Sequence, residues 1–452
     1  MSIDPLVDFV TQQPVTTEAR QIAADTLLDS LTCAIAATAS GDRLVERLVR
    51  HGLDQGGTPE AAILTQSLQF PAQNAARINA AAIHALDFDD TTLTSWIGHP
   101  SAVLYGALLA VASRELATVG DVLDAWAIGF EVGARLGEAG GQESYQRGWH
   151  NTATLGTVAA AAAIARLLGF DADRAQAAIG LAATMSSGLK VAFGSDAKPL
   201  QVGQAAANAV LASDLAGQGL RTASDVLFAR HGWLEALGVP DGQGLARFTD
   251  ATADLGQRWD ILDAGITFKL WPCCAYTHWA IEAALELRER VNTDQITSVT
   301  LHASETARAT CRHDRPSNPA DARFSLPATA AVALVEGWPS PQHFVGEQLP
   351  AGVRELIVRC NYAPAPDALP DWGGELTIEH RDGTILHSVV ETPRGHQRRP
   401  LSAADMRAKF DAATAPLRAS GRPAPEWDIL YELIRTPDRR VDELLAAPLT
   451  GY

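Results

Sequence analysis

Lysine is nearly absent from this chain: four of 452 residues, against 53 aspartates and glutamates, for a net charge of -17. An acidic surface repels phosphate backbones and anionic lipid, and no Lys/Arg run or aromatic-basic alternation reverses it locally. Nucleic acid is therefore not an expected partner. Cysteine is also scarce. Cys33, Cys273, Cys274, Cys311 and Cys360 are odd in number and lack C-x-x-C spacing, which argues against a disulfide framework and a structural zinc site and points to a reducing compartment. A basic-then-apolar leader is missing from Met1 to Asp8, and the most apolar stretch, Val158 to Phe170, is short and broken by Arg166. The expectation is a cytoplasmic protein without a membrane span.

What is present reads as a large globular enzyme, 47% hydrophobic and 20% charged, long enough for two or three domains. Apolar residues recur at helical spacing over Thr17 to Ala37, Ala75 to Leu86, Ser101 to Leu116, Asp121 to Gly137, Thr152 to Leu168, Asp171 to Met185 and Leu200 to Leu215. The spacing predicts an all-α domain over 1–262. Several of these stretches are apolar on all sides and rich in Ala and Gly, which suits the middle of a bundle. Alternation then replaces helical spacing at Thr297 to Ala303, at Glu355 to Cys360, and in a hairpin turning on Asp382-Gly383. With an amphipathic helix over Thr277 to Val291, this predicts a smaller α+β lid over 263–400. Ser402 is a helix N-cap, and helices through Lys409-Phe410 and Trp427 to Ile434 are expected to pack back on the first domain over 401–452.

Titratable groups crowd one stretch, His84-Ala-Leu-Asp87-Phe-Asp89-Asp90-Thr91, followed by Gly98-His99-Pro100-Ser101. An ordinary helix exit does not need them. Together with Arg147-Gly-Trp-His150, Lys198-Pro-Leu-Gln-Val-Gly-Gln-Ala-Ala, Phe268-Lys-Leu-Trp-Pro-Cys-Cys-Ala-Tyr-Thr-His278 and Pro393-Arg-Gly, it resembles the MmgE/PrpD family over almost the whole chain. The resemblance implies an all-α domain, an α+β lid, a homodimer, and a site in the cleft that acts beside a carboxylate without metal or other cofactor. Members include 2-methylcitrate dehydratases, cis-aconitate decarboxylases and iminodisuccinate epimerases.

The residue types fit such chemistry. Moving a proton beside a carboxylate needs cations that hold carboxylates and stabilise enolate-like charge, plus a poised base. Lys198, Lys269, His99 and His150 can supply these. Lys198 precedes a helix whose first amides add to its pull on an anion; the bland alternative is a solvated loop lysine. His99, from a loop before Pro100, is the leading proton-transfer group, because imidazole titrates near neutrality. Asp87 is expected to orient an imidazole or lysine, whereas Asp89 and Asp90 read equally well as solvated or capping residues. Thr91, Tyr145, Arg147 and His278 are candidate substrate contacts. A metal is not expected, since no H-E-x-x-H or bridging-carboxylate pattern accompanies the cluster and the lysines compete with it. Cys273-Cys274 reads as small buried hydrophobes, with a thiol-based enzyme as the alternative.

Three departures bear on the reaction. The Thr92–Gly98 loop is longer than in decarboxylase-like members, Cys274 stands where those members carry a histidine, and Phe324 lies near their tyrosine. These favour a 2-methylcitrate dehydratase-like hydro-lyase, leave an iminodisuccinate-like epimerase open, and rank decarboxylation last. A non-catalytic binding scaffold is the alternative from another class.

Overall fold

All seven apolar helical stretches are helices in the computed structural model, which describes residues 4–446 apart from 65 and 264. Parts of the expected leader-free N-terminus and of the C-terminal segment lie outside the described residues. The helices Thr17–Ala39, Ala72–His84, Pro100–Glu115, Val119–Gln146, Asn151–Leu167, Ala172–Met185 and Ala197–Gly217 pack into one apolar core. Phe410, Leu417 and Trp427 join the same core, so the C-terminal helices Ala403–Ala419 and Trp427–Ile434 return to it. Ser402 begins the first of them, its hydroxyl accepting from the Asp405 amide in a capping box.

Glycine explains why one helix runs past its expected end. Gly137 does not stop the Val119–Gln146 helix; a Cβ there would lie 2.1 Å from the Ser95 carbonyl oxygen, and one at Gly133 would lie 1.9 Å from the Trp96 ring. These glycines admit the 92–98 loop against the helix.

A second core spans residues 270–390. The short pair β1 (Ala61–Ala62) and β2 (Gln69–Phe70) belongs to the helical part, whereas β3 (Ile296–Ala303), β4 (Cys360–Pro364), β5 (Gly374–His380) and β6 (Ile385–Val390) form a sheet in the order β4-β3-β5-β6. β4 runs parallel to β3, and the other pairs are antiparallel. The β5–β6 hairpin turns at Gly383, φ +86°. The helices His278–Leu287 and Leu326–Val335 share this core.

The strand expected over Glu355 to Cys360 is a helix, Ala351–Ile357, and β4 starts only at Cys360. Val353, Leu356 and Ile357 are buried at helical spacing, so the apolar run covers one helical face. Among the described residues, Thr17–Ala39 is long and apolar enough to cross a membrane, but most of it is buried in this core and it carries Asp29 in an ion pair with Lys409.

Candidate active site

The charged stretch is a turn with a strained residue. The Ala72–His84 helix ends and the chain turns, the Asp87 amide closing on the His84 carbonyl at 3.1 Å. Asp87 has φ +51°, a left-handed conformation that costs a non-glycine residue energy and persists where neighbours enforce it. Thr91 and Thr267 exchange amide-to-carbonyl hydrogen bonds of 2.8 Å, which ties the segment carrying Lys269 to this turn. Thr92 pairs with Gly98 to close the intervening loop, and the His99 amide donates to Thr152 Oγ1 at 3.1 Å.

Residues from both cores line one cavity of about 50 Å³ between them: Asp87, Thr91, His99, Tyr145, His150, Phe193 and Lys198 on one side, Lys269, Cys274, Tyr276, Thr310 and Phe324 on the other. Phe193 stacks on Phe324 with ring centres 5.9 Å apart, and the Lys198 ammonium lies 5.0 and 5.1 Å from the two rings. A larger cavity of about 1030 Å³ lies by the C-terminal helices; of the charged groups facing it, Arg20 pairs with Asp124 and Arg435 with Asp25.

Two lysines meet at Asp87. Lys198 donates to Oδ1, while Lys269 lies 3.1 Å from Oδ2 and donates to the Asp87 carbonyl at 2.7 Å. Burial pushes the Asp87 carboxyl up, but Lys198 and Lys269 more than offset it and hold the group well below the usual carboxylate range. The two ammoniums diverge. Burial and the neighbouring Lys269 pull Lys198 down, whereas Lys269, though buried, is raised by Asp87 and Asp89.

The imidazoles are complementary. His99 Nδ1 lies 2.8 Å from the Asp90 carbonyl oxygen, which can only accept, so Nδ1 carries the proton and Nε2 presents a lone pair. Burial, with Lys269, lowers His99 to about 3, which keeps it neutral. For His150 the argument runs through Gln201, whose Oε1 accepts the Leu189 amide at 2.8 Å while Nε2 donates to the Leu189 carbonyl at 3.1 Å. That fixes the amide orientation, so Gln201 Nε2 also donates to His150 Nδ1 at 2.9 Å. The His150 proton therefore sits on Nε2, which is buried and has no partner among the described residues. One ring offers an acceptor, the other a donor.

Asp89 and Asp90 are fully buried, not solvated. Asp89 takes His84 Nδ1 at 2.9 Å; Asp90 takes the Ser101 hydroxyl and is pushed toward its protonated form by burial and by Asp29. The short side chains could not reach solvent once the turn was packed under the Pro100–Glu115 helix. Tyr145 reaches the cavity, and burial raises it to about 12.

Arg147 and His278 do not line the cavity. Arg147 is exposed beside Gly238, because it caps the end of the Val119–Gln146 helix and points away; His278 is buried edge-on to Trp271, ring centres 5.1 Å apart. Gln201, Phe193, Tyr276 and Thr310 escaped the sequence reading. Gln201, in the Lys198-Pro-Leu-Gln motif, and Tyr276, in the Phe268–His278 motif, carried a signal.

His84, Asp87, Asp89 and His99 each present a ligand atom within 4.8 Å of the others, a spacing that a divalent ion could use. Their chemistry does not suit one. Both Asp87 oxygens face ammonium groups, Asp89 faces a ring N–H, and His99 Nδ1 donates to a carbonyl. Cations already fill the place of a metal. The thiols are poor nucleophile candidates: burial pushes Cys273 up, and Cys274, held low by a contact with Cys311, has no imidazole bonded to it.

Residues 5–243 match the MmgE/PrpD N-terminal domain, and residues 271–424 match the MmgE/PrpD C-terminal domain. The chain belongs to the MmgE/PrpD family. Similar proteins include cis-aconitate decarboxylase of Homo sapiens, 27% identical over 81% of this chain and 76% of that protein. A cis-aconitate decarboxylase of Aspergillus terreus is 32% identical over 71% of the chain and 70% of its own length. The Aspergillus oryzae cis-aconitate decarboxylase-like protein oryM is 26% identical over 98% and 96%. These MmgE/PrpD relatives carry the name of the activity that the sequence motifs ranked last. Their names support a lyase, not specifically a dehydratase or epimerase.

Proposed function

We propose that this chain is a metal-independent lyase acting on the carbon beside a carboxylate of a small di- or tricarboxylate, with dehydration of a 2-methylcitrate-like substrate as its reaction. The observation that carries this reading is the cavity's pairing of a neutral acceptor, His99 Nε2, with two buried ammonium groups and a free donor, His150 Nε2–H.

Lys269 and the His150 donor hold the carboxylate next to the reacting carbon. His99 Nε2 takes the C–H proton, and the electron pair spreads into that carboxylate, where Lys269 stabilises the developing charge. The C–O bond then breaks and the oxygen leaves as water with a proton from Lys198. Environments that push two like groups apart mark an acid and a fixed charge, and the two lysines are shifted in this way. His99 and Lys198 recover their starting states by proton exchange with water.

Decarboxylation of cis-aconitate is the second reading, favoured by the relatives' names. Cys274 and Phe324, where the family resemblance implies a histidine and a nearby tyrosine in decarboxylase-like members, both lie in the cavity wall. That supports dehydration. Incubation with methylcitrate, citrate, cis-aconitate and iminodisuccinate in heavy water, followed by NMR, separates the cases. Water loss from a hydroxy-tricarboxylate supports the proposal; CO₂ release from cis-aconitate alone replaces it with the second reading, and C–H exchange without water or CO₂ loss indicates an epimerase.

A further inference from the structure

Three of the chain's four lysines converge on one turn. Lys198 and Lys269 meet Asp87 from the cavity side; the third, Lys409, approaches from behind, on the C-terminal helix Ala403–Ala419. Its ammonium is fully buried, donates to the Phe88 carbonyl at 2.7 Å, pairs with Asp29 at 2.5 Å and lies 4.1 Å from the centre of the Phe88 ring. Asp29 lies on the Thr17–Ala39 helix. The pair thus grips the peptide oxygen just after Asp87. Neither residue lines the cavity.

We propose that Lys409 and Asp29 form a positioning clamp that holds the Asp87–Asp90 turn in its catalytic geometry. The proposal rests on the lyase reading for its catalytic consequence. Asp87 needs outside contacts to stay at φ +51°, and His99 owes its tautomer to the Asp90 carbonyl, two residues along the same turn from the Phe88 carbonyl that Lys409 holds. A buried ion pair is a poor device for stability alone, since well-packed apolar residues of similar size serve as well or better. What apolar residues cannot do is bond to the Phe88 carbonyl. The clamp acts through the turn, and its residues touch no reacting atom.

The test is the double variant Lys409→Met with Asp29→Leu, which leaves no uncompensated charge, compared with wild type by melting, kinetics and ¹⁵N NMR of the histidine rings. The expected result is a melting temperature at or above wild type, kcat lower by on the order of a hundredfold with KM little changed, and loss of the pure His99 Nδ1–H tautomer. A double variant that keeps kcat within about twofold, or that does not fold, gives the pair a structural role only and overturns the proposal. The NMR reading needs no substrate. If wild type turns over no polycarboxylate, the lyase reading fails, while an unchanged His99 tautomer in the variant overturns the clamp separately.

Discussion

Gln201 donates to Nδ1 of His150 at 2.9 Å, and this single hydrogen bond leaves the His150 proton on the nitrogen that has no partner among the described residues. The orientation of Gln201 is set in turn by both backbone groups of Leu189, so a loop peptide outside the cavity determines whether His150 acts as donor or acceptor inside it. Gln201→Glu inverts the arrangement, because a carboxylate accepts from Nδ1–H and turns Nε2 into an acceptor. We expect kcat to fall on the order of a hundredfold with the fold intact, the loss typical of removing one preorganised donor. Steady-state kinetics beside circular dichroism checks this, and unchanged turnover would free His150 of its role.

His99→Ala and Lys269→Ala should fail differently. Losing the base lowers kcat by roughly 10²–10⁴ with a modest change in KM. Losing the fixed cation removes a charge-assisted contact of ~1.5–3 kcal/mol, so polycarboxylate binding weakens about ten- to hundredfold. Calorimetric binding combined with turnover reads both. Near wild-type turnover by His99→Ala would move proton abstraction elsewhere.

The pH profile follows from the shifts. His99 must be neutral to accept a proton, and burial with Lys269 lowers it to about 3. Its acid limb in kcat/KM therefore lies near that value, and activity stays flat as pH falls through 6.5, the ordinary histidine value. Lys198 must be charged to protonate the leaving oxygen, and burial pulls it below 10.5, so the basic limb begins earlier than an ordinary lysine's. A limb centred on an ordinary histidine pKa would contradict the depression of His99 by burial.

Gly137→Ala tests how the helical core supports the loop before His99. The new Cβ would lie 2.1 Å from the Ser95 carbonyl oxygen, which is backbone and cannot swing aside, so the 92–98 loop must shift. Overpacking of this kind costs ~1–3 kcal/mol. Thermal melting should show that loss, and kinetics should show lower kcat in the fraction that remains folded. A variant as stable and active as wild type would mean the loop yields freely.

Exhaustive chelation should leave activity intact, because ammonium groups and ring N–H donors already satisfy the carboxylates of the His84–His99 cluster. Loss of activity restored by one particular divalent ion would contradict this.

Much of this protein is written in local pattern. Helical spacing exposed the seven long helices, Asp382-Gly383 marked the hairpin, and the motifs singled out Asp87, His99, His150, Lys198 and Lys269, all of which line one cavity. These features are legible because each depends on neighbours in sequence, or on residue types whose chemistry has few other uses. What distance in sequence hides is who partners whom. The Glu355 stretch became helical because burial favoured Val353, Leu356 and Ile357 on one face. Arg147 turned away at a helix end, and His278 packed edge-on against Trp271. The proton positions on His99 and His150 depend on a carbonyl and an amide that only folding brings near. Lys409 shows the division most clearly: its scarcity was visible in the sequence, but its partner Asp29 lies 380 positions away, and only packing of the C-terminal helix onto Thr17–Ala39 brings that ammonium to the Phe88 carbonyl.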